Sequence, residues 1–199
     1  MLALSFDEIK TRLGNRTVGI AGVGGLGSNC AVALARVGIG KLVIADFDTV
    51  SPENLNRQYY FTDQIGMKKV DALTENIKRI NPGVEVEGYD LVLDPENIPV
   101  IFKACNIIVE AFDLAEMKKM IIETVITEMA DRYIVSGNGI AGFGNNNLLR
   151  TTRIDNIYIC GDQENETSPN MPPLAPRVGI VASMQANQVM ELLLMQPGI

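Results

Sequence analysis

Histidine is absent from this chain of 199 residues, and this removes several kinds of active site from consideration. A histidine-based catalytic triad, a histidine metal ligand and a histidine general base are all excluded. Any chemistry must therefore rely on carboxylates, lysine, arginine, cysteine, backbone amides or a bound metal ion.

Cysteine is scarce, with only three residues, Cys30, Cys105 and Cys160. They lie far apart in the chain, their number is odd, and no C-x-x-C pair occurs. Neither a disulfide framework nor a structural zinc site is therefore expected.

Basic residues are outnumbered by acidic ones, and the formal net charge is −7. A nucleic-acid-binding face needs clustered basic side chains, so this balance argues against nucleic acid as a partner. The sequence also has no run of 18 or more apolar residues, and residues 1–10 have neither the basic start nor the apolar block of a signal peptide. We therefore predict a cytoplasmic protein that does not enter a membrane.

The hydrophobic content is nevertheless high, at 47% of the residues. A chain of this length can bury one substantial core but is short for two. Residues 1–199 are therefore expected to form a single domain, and no internal repeat suggests a further division.

The first two thirds of the chain alternate between short apolar segments and helical patterns. This βαβ alternation predicts an α/β fold with a Rossmann-like, mostly parallel sheet and helices on both faces. The predicted strands are RTVGIAG, KLVIADFD, VEVEGYDL, CNIIVEAF and RYIVSGN, and the predicted helices are LGSNCAVALARVG, MKKVDALTENIKRINPG and AEMKKMIIETVITEMA.

The pattern changes after Ser136, where the helical period disappears. The segment GNGIAGFGNNNLLRTTRIDNIYIC predicts a short antiparallel β segment near the C-terminal third. The acidic, proline-rich GDQENETSPNMPPLAP is expected to be an exposed loop. The period of VGIVASMQANQVMELLL predicts a final helix.

A glycine-rich stretch, GIAGVGGLGSN, joins the first predicted strand to the first predicted helix. It has the spacing G-x-G-x-x-G in Gly22, Gly24 and Gly27, with an additional Gly25. In this context bare backbone amides and the positive end of a helix can receive a phosphate. The alternative is that the glycines only allow the strand and the helix to pack closely. Asp46 ends the second strand where a ribose-binding carboxylate is expected, so adenosine of a dinucleotide or of ATP is the predicted ligand.

Charged residues after the second strand distinguish these two nucleotides. The segment DFDTVSPENLNRQ supplies Asp46, Asp48, Asn54 and Arg57, and GMKK adds Lys68 and Lys69. Arginine and lysine beside carboxylates that can hold Mg²⁺ suit a triphosphate better than a nicotinamide. A nicotinamide-dependent oxidoreductase would also need a catalytic acid or base that is not evident.

At these residues the sequence closely resembles the ThiF/MoeB/HesA family, the bacterial relatives of ubiquitin-activating enzymes. The resemblance rests on GVGGLGSNCAVALARVGIGKLVIADFDTVSPENLNRQ and continues through GMKKVDALTENIKRINP, CNIIVEAFD and LAPRVGIVASMQANQVMELL. It implies ATP-dependent adenylation of the C-terminal glycine carboxylate of a ubiquitin-like sulfur carrier, which is ThiS for ThiF. The compact form is most similar to ThiF-type proteins of thiamine biosynthesis. Family members are homodimers, so a homodimer is expected.

The resemblance also implies roles for individual residues. A carboxylate substrate needs no general base, so alignment and neutralisation of charge would suffice for catalysis. Without the resemblance, the charged residues could be ordinary surface or helix-capping groups, and Lys68 is interpreted so in any case. The implied nucleotide-binding set is Gly22, Gly24, Gly25, Gly27, Asp46 (ribose), Asn54, Arg57 and Lys69; Arg57, Lys69 and Asp113 are the implied catalytic residues, and Asp48 and Asp113 the implied Mg²⁺ ligands.

Several positions depart from the family pattern. Ile157 and Cys160 stand where the first of two zinc-binding C-x-x-C pairs is common, so no zinc is expected. Ser168 occupies the place of a loop cysteine linked to sulfur transfer, and Leu114 replaces a common asparagine. Cys160 could take over sulfur handling or be a buried thiol. A non-catalytic scaffold that binds nucleotide therefore stays open beside the adenylyltransferase and, less favoured, an NAD(P)-dependent oxidoreductase.

Overall fold

The computed structural model describes residues 3–195 and is built around a seven-stranded mixed sheet with helices on both faces. The strand order is β3-β2-β1-β4-β5-β7-β6, and every neighbouring pair is parallel except β6 and β7. In chain order the elements are α1 (Phe6–Leu13), β1 (Thr17–Ala21), α2 (Gly25–Arg36), β2 (Lys41–Ala45), α3 (Lys69–Ile80), β3 (Glu85–Tyr89), α4 (Ile98–Ile101), β4 (Ile107–Glu110), α5 (Ala115–Glu128), β5 (Tyr133–Gly137), β6 (Arg150–Ile154), β7 (Ile157–Gly161) and α6 (Ala175–Met195).

Two hydrophobic cores lie on the two faces of the sheet because successive strand residues point in opposite directions. In β4, Ile107 and Val109 belong to the core shared with α2, α3 and α6. Ile108, between them, belongs to the core shared with α4 and α5. The central strands are thus buried on both faces, which explains their continuous apolar sequences.

The predicted α/β fold with a mostly parallel sheet is confirmed, and so is the short antiparallel segment. The structure adds that β7 pairs in parallel with β5, so the β6–β7 hairpin extends the main sheet. The helix α6 begins at Ala175, three residues before the predicted start, because Pro176 can occupy a first turn where its missing N–H is not needed. The short helices α1 and α4 were not predicted.

Helix α6 is the one described helix that could cross a membrane by length and composition alone. Its 21 residues include a window of mean hydropathy 1.3, half of which is buried inside the protein. Core helices of water-soluble proteins meet the same criteria. The buried residues of α6, among them Val181, Val189 and Leu192, pack in the core shared with α2, which accounts for the apolar composition.

Candidate functional site

A cavity of about 930 Å³ lies where β1, β2, β4, β5 and β7 end. The carboxyl ends of parallel strands share one edge of the sheet, and this is where α/β folds bind ligands. Two groups of residues line the cavity. The glycine wall consists of Gly22, Gly24, Gly25, Asp46, Asp48, Arg57, Gln58 and Lys69, and the loop wall consists of residues 137–140 and 165–168.

The glycine-rich stretch serves both of the purposes considered for it. Gly22, Gly24 and Gly25 line the cavity, and no described side chain caps the amino end of α2 beside them. Its first backbone N–H groups are therefore available to an anion. Gly27 does not line the cavity; a Cβ atom there would lie 1.9 Å from the carbonyl oxygen of Gly22. Gly27 thus permits close packing of strand and helix.

Asp46 ties the end of β2 to the glycine-rich loop. Its Oδ2 accepts a hydrogen bond from the backbone N–H of Val23 at 2.7 Å, and its Oδ1 accepts one from Asp48 at 2.9 Å. Burial raises the pKa of the Asp46 carboxyl, although the charge of Lys69 and the two backbone hydrogen bonds act in the opposite direction. This carboxylate is therefore incompletely compensated and is suited to accept further hydrogen bonds from a ligand.

Lys69 begins α3 and is only 4% exposed. Its Nζ lies 2.6 Å from Oδ2 of Asp48, whose side chain is 49% exposed. The alternative interpretation of Lys69 as a solvated surface charge is therefore wrong, because its side chain is buried at the cavity. Lys68, by contrast, does not line the cavity and pairs with Asp90 at 3.1 Å with its side chain 43% exposed, as its interpretation as a surface residue predicted.

Arg57 and Asn54, which are three residues apart in the motif, have different positions in the structure. Arg57 lines the cavity, and its Nη1 donates to the carbonyl oxygen of Glu53 and to Oδ1 of Asn56. Asn54 does not line the cavity; its Oδ1 accepts the backbone N–H of Ser51 at 3.0 Å and so closes a short 3₁₀ turn. The phosphate contact of Asn54 stays a prediction.

The two implied metal ligands, Asp48 and Asp113, both line the cavity and are exposed. Within residues 3–195 no group of three or more carboxylate or cysteine side chains could hold a metal ion by itself. Two carboxylates nevertheless suit Mg²⁺, which is usually bound by one or two carboxylates together with substrate phosphates and water. The residues present are therefore compatible with Mg²⁺ that enters with a nucleotide.

Residues 1–198 match the sequence pattern of the ThiF family. This chain is a member of the ThiF family. It is similar to the adenylyltransferase and sulfurtransferase MOCS3 of Caenorhabditis briggsae, with 33% identity over 187 residues, or 90% of this chain and 46% of that protein. It is also similar to ubiquitin-like modifier-activating enzyme 5 of Oryza sativa subsp. japonica, with 44% identity over 80 residues, or 40% of this chain and 19% of that protein. The chain thus spans less than half the length of these relatives.

Solved structures with the same fold include two proteins of E. coli. The tRNA N6-threonylcarbamoyladenosine dehydratase TcdA, in complex with AMP, has a TM-score of 0.83 and 19% identity, covering 94% of this chain and 89% of that chain. MccB, in complex with ATP, has a TM-score of 0.70 and 23% identity, covering 93% of this chain and 57% of that chain. At such low identity these likenesses support the ThiF-like fold alone.

The departures from the family pattern can now be located. Ser168 lines the cavity within the exposed loop after β7, whereas Cys160 is fully buried in β7. Burial raises the pKa of the Cys160 thiol, although a hydrogen bond with Thr151 acts the other way. Of its two interpretations, the structure supports the buried thiol, because a reactive cysteine needs access and a lowered pKa. Leu114 is 53% exposed at the start of α5, and its apolar side chain accepts no capping hydrogen bond from the helix backbone.

A polar network beneath the loop wall escaped the sequence analysis. Glu110, fully buried at the end of β4, accepts hydrogen bonds from Lys118 at 3.0 and 3.1 Å and from the hydroxyl of Ser136 at 2.5 Å. Lys118 also donates to the carbonyl oxygen of Gly137 at 2.8 Å. All three ammonium protons of Lys118 thus have acceptors. The one available signal was a glutamate within the apolar strand sequence NIIVEAF.

Proposed function

We propose that this chain adenylates the C-terminal glycine carboxylate of a ubiquitin-like sulfur carrier with ATP and releases pyrophosphate. The observation that carries the proposal is the glycine wall, where an uncapped helix end, Arg57 and the buried Lys69 meet at one cavity. Relatives named adenylyltransferases, and neighbours bound to ATP or AMP, support this choice of reaction and nucleotide.

In this proposal the positive groups of the glycine wall bind the phosphates. The amino end of α2 offers backbone N–H groups, and Lys69 and Arg57 neutralise charge that builds up on the α-phosphate and the leaving pyrophosphate. Asp46 accepts hydrogen bonds from the ribose hydroxyls. The attacking carboxylate is already ionised at neutral pH, so no general base is needed and a chain without histidine suffices.

Asp48 and Asp113 would hold Mg²⁺ between the protein and the nucleotide. When bound, Mg²⁺ would neutralise phosphate charge and help to orient the leaving group. Asp48 has a second task, because its Oδ2 already pairs with Nζ of Lys69. Asp48 therefore links the predicted metal site to the buried lysine.

We further propose a ThiS-like carrier, a function in thiamine biosynthesis and a cytoplasmic homodimer. A groove between α2 and α6, with Asn29, Gly179, Ile180 and Met184 in its lining, supports the dimer because the apolar side chain of Ile180 is exposed there. Analytical ultracentrifugation tests it, with a purely monomeric wild type as the contrary outcome.

The decisive experiment is ATP–pyrophosphate exchange in Mg²⁺, with and without a ThiS-like protein that ends in Gly-Gly. Wild type should catalyse exchange only when the carrier is present. The exchange rate of Arg57→Ala should be about 100-fold lower, because a positive group facing the transition state is removed. Arg79→Ala is the matched control, since Arg79 lies exposed near the far end of α3 and should retain wild-type rates.

Three other outcomes would contradict the proposal. Equal exchange rates for wild type and Arg57→Ala would mean that the glycine wall takes no part in the reaction. ATP binding without exchange for any of a panel of carriers would favour the non-catalytic scaffold, which the departure at Leu114 also allows. Binding of NAD(P) in preference to ATP would favour the oxidoreductase.

A further inference from the structure

A buried ion pair lies beneath the loop wall. Asp162 directly follows β7, and Arg177 lies in the first turn of α6; their side chains are 0% and 3% exposed. Nη2 of Arg177 lies 2.9 Å from Oδ2 of Asp162. Because a buried charge is costly without a partner, these two residues depend strongly on each other.

The same guanidinium reaches a second loop. Nη1 of Arg177 donates to the carbonyl oxygen of Gly144 at 3.0 Å, in the loop that leads from β5 to β6. That loop also packs directly on the aspartate, since a Cβ atom at Gly139 would lie 1.9 Å from Oδ1 of Asp162. Arg177 thus joins α6 to both loops that form the loop wall.

Asp162 in turn shapes the loop that follows it. Its Oδ1 accepts the backbone N–H groups of Glu164 and Asn165 at 2.9 and 3.0 Å, and its Oδ2 accepts the side-chain amide of Asn165 at 2.7 Å. Residues 165–168 then line the cavity. At the far end of the loop, Gly142 donates to the carbonyl oxygen of Pro172 at 3.1 Å. The loop is thus held at both ends and presents its middle to the cavity.

The charge state of the pair supports a permanent anchor. Burial by itself would raise the pKa of Asp162, but the hydrogen bonds from Asn165 and Glu164, together with the charge of Arg177, lower it overall. The aspartate is therefore ionised at neutral pH. Lysine could not replace the arginine fully, because a single ammonium lacks the planar fork that reaches Asp162 and Gly144 together.

We infer that Arg177 is a positioning residue for the acceptor protein: it holds the loop wall in place so that the acceptor's extended end is kept beside the glycine wall. This inference rests on the proposed adenylation of a carrier protein. We expect Arg177 to affect binding of the carrier and not binding of ATP. Both hydrogen-bonded partners of Arg177, Asp162 and Gly144, belong to the two loops, and neither belongs to the glycine wall.

The test compares apparent KM values for carrier and for ATP in the exchange reaction, with the ThiS-like Gly-Gly protein as the carrier. Arg177→Lys should raise the KM for the carrier about tenfold through misplacement of the loop wall and leave the KM for ATP within about twofold. Hydrogen–deuterium exchange of residues 162–171 should become faster in the same variant. The double variant Asp162→Asn/Arg177→Met removes both buried charges and should give the same separation if the single variant folds poorly.

The matched control is Lys41→Met. Lys41 is also ion-paired, to Glu85 at 2.8 Å and Glu87 at 2.7 Å, but it begins β2 at the opposite edge of the sheet from the cavity. Neither KM should change in this variant. Its loop exchange should match that of wild type.

The contrary results are distinct from one another. If both KM values rise together in Arg177→Lys, or if neither KM nor loop exchange changes, Arg177 is an ordinary structural residue and the inference is overturned. If wild type shows no carrier-dependent exchange at all, the proposed function fails first, and the inference falls with it.

Discussion

Two lysines at the cavity show how differently its two walls use charge. Lys69 of the glycine wall is buried, and its ammonium has one carboxylate partner among the described residues, the half-exposed Asp48. Lys118, next to the loop wall, donates to both oxygens of the fully buried Glu110 and to the backbone of Gly137. Lys69 thus has N–H donors left for a ligand, whereas all three N–H donors of Lys118 bind groups of the protein.

Two aspartates repeat the contrast. Asp46 of the glycine wall is half-buried, and its desolvation outweighs the groups that compensate its charge, so its pKa is raised. Asp162 beneath the loop wall has hydrogen bonds and Arg177 around it, so its pKa is lowered. A wall that awaits a ligand leaves charges incompletely paired, and a wall built from loops pairs its charges to hold its shape.

The largest expected effect is a difference in protein stability between variants of Lys118 and of Lys69. Lys118→Met should lower the free energy of unfolding by about 3–5 kcal/mol, because Glu110 would stay buried without a counter-charge. Lys69→Met should cost less than about 1 kcal/mol, because the half-exposed Asp48 can turn to water. Urea denaturation at neutral pH measures both.

A control for this experiment is Glu110→Gln/Lys118→Met, which removes both charges and should recover most of the lost stability. If Lys69→Met destabilises the protein as much as Lys118→Met, the distinction between the two walls is wrong. Isothermal titration with ATP should show the reverse order, with the larger loss of affinity in Lys69→Met.

The second prediction uses pH to separate the aspartates. The folded pKa of Asp162 is lowered, so its contribution to stability is present above the unfolded value near 3.9 and is lost as the pH falls through the folded pKa. The folded pKa of Asp46 is raised, so its contribution is present below the unfolded value and is lost as the pH rises through the folded pKa.

The free energy of unfolding of Asp162→Asn should therefore decrease relative to that of wild type as the pH rises from about 3 to 7. That of Asp46→Asn should increase relative to wild type over the same interval. Unfolding free energies from urea titrations at several pH values give both trends. If both variants showed the same pH trend, the distinction between Asp46 and Asp162 would be wrong.

The smallest effect concerns helix ends. The amino ends of α2 and α5 both lack a side-chain cap and both line the cavity, but only α2 begins with glycines. Leu114→Asn should supply a cap to α5 and stabilise the protein by about 1 kcal/mol.

Thermal and urea unfolding measure this gain, with Leu114→Ala as the control that provides no cap. A loss of stability in Leu114→Asn would mean that the leucine has a packing role that its exposure does not reveal. The affinity for ATP is measured in parallel, because Leu114 lines the cavity.

The glycine wall was largely predictable from the sequence, because its glycines and Asp46 directly follow strands and its other residues lie in the two motif segments that come next. Gly22, Gly24 and Asp46 could be placed from strand ends and helix starts, whereas the choice of Gly25 and of Lys69 rather than Lys68 rests on the family resemblance. The same motif did not reveal that Asn54 turns inward to close a 3₁₀ turn, since that depends on local hydrogen bonds rather than on spacing.

The loop wall could not be predicted in this way. Ser136 and Glu110 are 26 residues apart, Asp162 and Arg177 are 15 apart, and Gly144 and Arg177 are 33 apart. No periodic pattern connects such pairs. The acidic, proline-rich segment therefore looked like a simple exposed loop, although the structure anchors it at a buried charge.

Hydrophobic period and glycine placement act over a few residues, so they determine the strands, the longer helices and the glycine-rich turn. The pairing of Arg177 with Asp162 and of Lys118 with Glu110 exists only once β4, β5 and β7 lie side by side. Water is then excluded from these charges, and each must find its partner in the protein. Local sequence thus determines the glycine wall, whereas the loop wall depends on the pairing of charges that the tertiary structure buries.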